Sequence, residues 1–226
     1  MTPAAHKHLA KNDPVMRRLI REHGKCALVP NERRPPFQSL VMAIAHQQLN
    51  GTAANTILGR FKKLFPGRKF PRPEDVAGVT DAQIRACGFS FAKIKSIRDI
   101  TAKALDGTIP SSRRIMELSD DEIVARLTEV HGVGRWTVEM LLIFQLARPD
   151  VLPVGDFGVR NGFRLAYIKR KMPEPKALLA FGERWKPHRT TAAWYLWCAA
   201  DAAKKAATAH RRKNAARRTR AAAKKK

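Results

Sequence analysis

Apolar residues recur at three- and four-residue spacing from Val15 to Trp197, and no two-residue alternation persists anywhere, so the pattern predicts an all-α fold. Asp13-Pro14 has the form of an N-cap followed by a first-turn proline; Leu19 and Ile20 give that helix an apolar side, and Gly24 suits its C-terminal stop. After Pro35-Pro36, the residues Phe37, Leu40, Val41 and Ile44 form one stripe. Gln47-Gln48-Leu49-Asn50-Gly51 breaks it before a helix with Ile57, Phe61 and Leu64, which Phe65-Pro66-Gly67 closes. Thr80-Asp81-Ala82-Gln83 and Ser119-Asp120-Asp121-Glu122 both have the capping-box form. Phe91 to Leu105 reads as a helix ended by Asp106-Gly107, and later helices begin near Arg135, Phe157 and His188. The expectation is about nine or ten helices in two lobes, a middle one over about residues 50–145 and another from both ends of the chain, with the acting site in a cleft between them. Residues 1–12 are expected to be a flexible N-terminus.

Charge narrows the partner. Lys and Arg number 44 against 19 Asp and Glu, a formal net charge of +25 over 226 residues. Such an excess calls for a polyanion, and nucleic acid is the first candidate. The rival, an anionic membrane, finds no apolar run of transmembrane length, and Met1–Lys11 has no signal-like stretch. The expectation is an intracellular protein, of the bacterial cytoplasm or nucleoid, or of the nucleus in a eukaryote, with no membrane partner. From Ala202 to Lys226, eleven Lys or Arg and no acid are interleaved with Ala, which leaves the rest at about +14 (25 − 11). This basic tail reads either as disordered in solution or as a frayed extension of the last helix, attracting phosphates without reading sequence, or else as a solubilising tail only. Cys26, Cys87 and Cys198 are too few and too scattered for a disulfide framework or a four-thiolate metal site, and the seven histidines show no HExxH spacing.

The stretch with most chemistry is Leu127-Thr-Glu-Val-His-Gly-Val-Gly-Arg-Trp-Thr-Val-Glu-Met-Leu-Leu142. One amphipathic helix stops, Gly132-Val133-Gly134 turns the chain, and a second helix starts with Trp136, Met140 and Ile143 inward. The glycines let the backbone come close to a neighbour, and the first-turn N–H groups and dipole of the second helix suit a phosphate, with Arg135 adding charge and Thr137 a hydroxyl. A plain tight turn between helices would carry the same pattern. Twenty-one residues after Arg135, in Leu152-Pro-Val-Gly-Asp-Phe-Gly-Val-Arg160, Asp156 opens another helix; on its own it is equally an ordinary N-cap.

Taken together, these segments resemble the helix-hairpin-helix (HhH-GPD) DNA glycosylases, in particular the 3-methyladenine DNA glycosylase II branch in its compact form without an N-terminal sheet domain. The resemblance spans about residues 13 to 200, through Phe37 to Leu49, the hairpin, the Asp156 segment and Trp185 to Trp197. It implies that the lesion is flipped out of double-stranded DNA carrying alkylated bases, that Asp156 is catalytic, and that Trp136, Met140 and Trp197 line the base pocket. Gln48 matches the residue that fills the gap left by the flipped base, and Gly132, Gly134, Arg135 and Thr137 match DNA contacts. The alternatives are tryptophans in a helical core and an exposed turn glutamine; Trp185 and Trp194 read as core. Strand-cleaving relatives carry a lysine two residues after the second hairpin glycine, where this chain has Trp136, so hydrolysis without lyase activity is expected. Relatives with an iron–sulfur cluster need four cysteines near the C-terminus, and only Cys198 is there. No cofactor is expected to be required; by analogy alone, the carbonyls of Thr128, Val130 and Val133 would hold a sodium or potassium ion. A monomer is expected. The rival reading is a non-catalytic helix-hairpin-helix DNA-binding or architectural protein.

Overall fold

The computed structural model describes residues 2–31 and 34–223, with residue 210 and those from 212 onward as backbone only. Among them are thirteen α-helices, one 3-10 turn and no strand. In chain order they are α1 (Pro3–Asn12), α2 (Pro14–His23), α3 (Pro36–His46), α4 (Gly51–Lys63), α5 (Pro73–Ala77), α6 (Asp81–Ala86) and α7 (Phe91–Leu105). There follow α8 (Arg114–Glu117), α9 (Asp120–Thr128), α10 (Arg135–Phe144), α11 (Phe157–Ala166), α12 (Pro175–Phe181), the 3-10 turn Gly182–Trp185 and α13 (Arg189–Ala223). The capping boxes at Thr80 and Ser119 are formed as expected, each side chain accepting from the N–H three residues on. The count exceeds the nine or ten expected because α5, α8 and α12, of four to seven residues, are too short to show a period.

Residues 3–12, where a flexible N-terminus is expected, form α1. Thr2 caps α1 and Pro3 occupies its first turn, the same device as Asp13-Pro14, while Ala5 and Leu9 are buried. The helix was missed because its only buried side chains are these two among polar neighbours. The chain forms two compact units: Val29–Arg148, and the two ends, up to Leu28 and from Pro149 onward. The middle unit therefore begins well before residue 50 and includes α3, whose Phe37, Leu40, Val41 and Ile44 are all buried.

In the unit built from the chain ends, the core gathers Leu9, Met16, Leu19, Val159, Phe163, Leu178, Trp185, Tyr195 and Leu196. Within it Asp13, only 1% exposed, accepts four hydrogen bonds. Its Oδ1 takes the N–H groups of Val15 and Met16, and its Oδ2 takes the Tyr167 hydroxyl at 2.6 Å and the Trp185 indole N–H at 3.0 Å. A buried carboxylate is tolerable only when satisfied in this way, and here it fastens α2 to the end of α11 and to the 3-10 turn. Burial and the Asp13 carboxylate together push the Tyr167 hydroxyl far above its ordinary range, so it stays a donor. Helix α11 lies close against α13. A Cβ at Gly162 would lie 1.9 Å from the Leu196 carbonyl oxygen, so only glycine permits the approach. The backbone of α13 continues helical into the basic tail as far as Ala223, the second of the two expectations for that segment.

Candidate active site

Asp156 caps α11, its Oδ1 accepting the Val159 N–H at 2.8 Å. The same oxygen accepts the indole N–H of Trp197, on α13, at 2.8 Å. The indole reaches it by crossing Gly158, where a Cβ would lie 2.8 Å from Trp197 Cδ1 and 3.1 Å from Nε1. Gly158 and Gly162 are four residues apart on α11 and both face α13, so a two-glycine stripe seats the carboxylate at the helix start. Sequence reasoning placed Trp197 in a base pocket and missed this stripe; in the structure Trp197 donates a hydrogen bond to Asp156, and the spacing Gly158-x-x-x-Gly162 was the available signal for that contact. Two N–H donors on one carboxylate oxygen fix its orientation. Trp185 is fully buried and Trp194 packs on the same core, as expected.

In the middle unit, α9 and α10 flank the hairpin. Gly132 has φ +79° and its missing Cβ would meet Ser96 Oγ, so packing within the unit already requires this glycine. Gly134 is different: it is the N-cap of α10, no side chain caps the helix, and nothing lies within 4 Å of its absent Cβ. Its backbone is open, as an anion site at a ten-residue helix start requires. Arg135 is largely exposed, with Nε 3.1 Å from the buried Glu139 carboxylate, which sets the direction of the guanidinium. Thr137, the expected phosphate donor, is buried in the first turn of α10, where it lines a cavity.

That cavity, about 600 Å³, brings together four of the residues singled out by sequence: Gln48, Trp136, Thr137 and Met140. Met42 and Phe144 add to its largely apolar wall. Trp136 is half exposed, an uncommon state for so large an apolar ring, so it offers a ring to a ligand. Gln48 is exposed and holds φ +55°, a left-handed conformation that costs a non-glycine residue on the order of 1 kcal/mol and concentrates at functional turns. Among the described residues no group of three or more His, Cys, Asp or Glu could hold a metal. The hairpin carbonyls are a separate matter: that of Val130 accepts the Val133 N–H at 3.0 Å and keeps a second lone pair, so the donor chemistry suits a monovalent cation. The three cysteines are free thiols pushed upward by burial, Cys198 to about 11, and are therefore poor nucleophiles.

The model of the family described as "HhH-GPD superfamily base excision DNA repair protein" matches residues 41–188. The chain is 42% identical over 196 residues to DNA-3-methyladenine glycosylase 1 of Schizosaccharomyces pombe, covering 85% of each protein. It is similar in structure to a 3-methyladenine DNA glycosylase of that yeast solved in complex with abasic DNA, with TM-score 0.77 and 41% identity, covering 86% of this chain and 95% of the other. A DNA-3-methyladenine glycosidase from Bacillus halodurans also has TM-score 0.77, at 33% identity over 88% of this chain and 89% of its own.

Proposed function

The chain belongs to the HhH-GPD superfamily of base excision DNA repair proteins, and from that premise we propose that it hydrolyses the N-glycosidic bond of alkylated purines, such as 3-methyladenine and 7-methylguanine, in double-stranded DNA. The observation that carries the reading is the Asp156 carboxylate, held at the start of α11 by the Val159 and Trp197 N–H groups. An alkylated purine is cationic and already a good leaving group, so the protein need not protonate it. What the reaction lacks is stabilisation of the oxocarbenium-like sugar, and a fixed carboxylate supplies it at no reorganisation cost. The half-exposed Trp136 ring offers the cationic base a cation–π contact worth on the order of 0.5–2 kcal/mol. Gly132, Gly134 and Arg135 grip the backbone while Gln48 fills the gap left by the flipped nucleotide.

The finer assignment is a monofunctional enzyme of the 3-methyladenine DNA glycosylase II type, acting as a monomer without an iron–sulfur cluster. No lysine stands at the position of Trp136, so water is the nucleophile and no Schiff base forms. The carbonyls of Thr128, Val130 and Val133 would hold a sodium or potassium ion, which would supply positive charge at the hairpin. The test is a set of duplexes, each with one lesion, assayed for free base and for strand breaks with and without alkali. Free base with breaks only after alkali is expected, and borohydride should trap no adduct. Asp156→Asn should abolish release while affinity for damaged DNA falls less than tenfold; near-normal turnover by that variant overturns the reading.

A further inference from the structure

Four polar residues of α7, Lys93, Ser96, Asp99 and Lys103, follow one another at spacings of three, three and four, which places them on one face of that helix. Each touches one of two segments far away in sequence. Lys93 Nζ donates to the carbonyls of Ala45 at 2.9 Å and Gln47 at 2.8 Å, the residues that end α3 just before the left-handed Gln48. Ser96 lies against Gly132, closer than any Cβ there would allow. Asp99 accepts the His131 N–H at 2.7 Å, and Lys103, paired with Asp99, donates to the Glu129 carbonyl. A direct tie joins the two segments: Gln47 Nε2 donates to the Gly132 carbonyl at 2.9 Å.

We propose that this face of α7, with Gln47, is a positioning device that fixes the Gln48 turn in register with the Gly132–Gly134 hairpin, so that gripping the DNA backbone and inserting Gln48 into the duplex become one event. The proposal rests on the reading of Gln48 as the residue that fills the gap. A left-handed glutamine is unstable by itself and persists only where its surroundings over-determine it. Here the over-determination comes from Lys93, which occupies the carbonyls on one side of the turn, and from Gln47, whose side chain is spent on the hairpin. Desolvation lowers the Lys93 pKa, in keeping with an ammonium withdrawn from water toward those carbonyls. Lys93 and Gln47 are positioning residues, acting through Gln48.

The experiment uses the full chain and a duplex with one 7-methylguanine, with 2-aminopurine beside it to report unstacking. Lys93→Met and Gln47→Ala should each slow the fluorescence rise and single-turnover excision about tenfold, with affinity for undamaged duplex changed less than twofold. Lys93→Arg, which keeps a donor for the carbonyls, should recover most of the loss. In a Gln48→Ala background the further effect of Gln47→Ala should fall below twofold, because the residue it positions is gone. Losses that multiply in the double variant, or an unstacking rate unchanged in both single variants, overturn the proposal. Should Lys93→Met not fold, Gln47→Ala, at an exposed hydrogen bond, decides alone. A Gln48→Ala enzyme as fast as the parent would overturn the gap-filling reading and the proposal with it, an outcome distinct from one in which Gln48 matters and Gln47 does not.

Discussion

Replacing Gly162 by Ala tests whether the seat of Asp156 depends on the contact between α11 and α13. The added methyl would lie 1.9 Å from the Leu196 carbonyl oxygen, 2.6 Å from its carbonyl carbon and 3.1 Å from its Cα. All three atoms are backbone in the buried part of a helix, so no side chain can turn aside, and the helices must part by about 1 Å or more to reach ordinary contact. Overpacking of this kind costs roughly 1–3 kcal/mol, and the upper end applies when backbone must move. Alanine returns about 1 kcal/mol through its better helix propensity. The net loss is about 2 kcal/mol, or a fall in Tm of about 4–8 °C for a chain of this size. The same displacement carries Asp156 away from Trp197, across a hydrogen bond that is 2.8 Å long, so excision at saturating enzyme should drop several-fold even at temperatures where the variant is fully folded. Gly158→Ala is the matched control. Its methyl meets the Trp197 indole and the Asp156 carboxylate rather than backbone, so stability should change by less than about 1 kcal/mol while excision still falls. Denaturant unfolding and single-turnover excision on the three proteins check this. A Gly162→Ala protein as stable as the parent, or more so, refutes the argument.

Trp197→Phe keeps a ring and removes one donor to a carboxylate, a bond worth about 1.5–3 kcal/mol, so Tm should fall by about 3–12 °C, and single-turnover excision at temperatures where the variant is fully folded should fall about tenfold or more. An unchanged rate would mean that Asp156 needs no such hold. Burial lowers the pKa of both His6 and His188 from 6.5, and the His6 Nε2 accepts the Cys26 N–H at 3.1 Å. Between those lowered values and 6.5 the unfolded chain binds more protons than the folded one, so stability should be lost as pH falls through that window. Unfolding curves from pH 7.5 to 5 should show a shallower loss in the His6→Gln, His188→Gln double variant, and an identical slope would contradict it. Deleting residues 202–226 removes eleven cationic side chains and should weaken binding to undamaged duplex and flatten its salt dependence, with saturated excision within a few-fold of the full chain. The same salt slope with and without the segment would show that it does not meet DNA.

What could be read from the sequence, and what could not, divides by the range of the interaction concerned. Asp156 as a helix start, the capping boxes at Thr80 and Ser119 and the stop at Asp106-Gly107 depend on residues within four positions of one another, and each is found in place. Asp13 was legible as a cap for the same reason, yet its other oxygen serves Tyr167 and Trp185, 154 and 172 residues away, and no local pattern carries that. The hairpin glycines show how one motif can conceal two causes. Gly134 leaves its backbone open, whereas Gly132 makes room for Ser96, a residue that nothing in the hairpin itself points to. Asp156 combines both ranges. Its place at a helix start is local, but its orientation comes from Trp197, 41 residues on, and that residue arrives only because Gly158 and Gly162 let α13 lie against α11. Side chains that hold a reactive group thus leave their trace less in their own identity than in the small residues opposite them, so a pair of glycines one turn apart in a helix that opens on a carboxylate is itself a reason to look for the partner that fits over them.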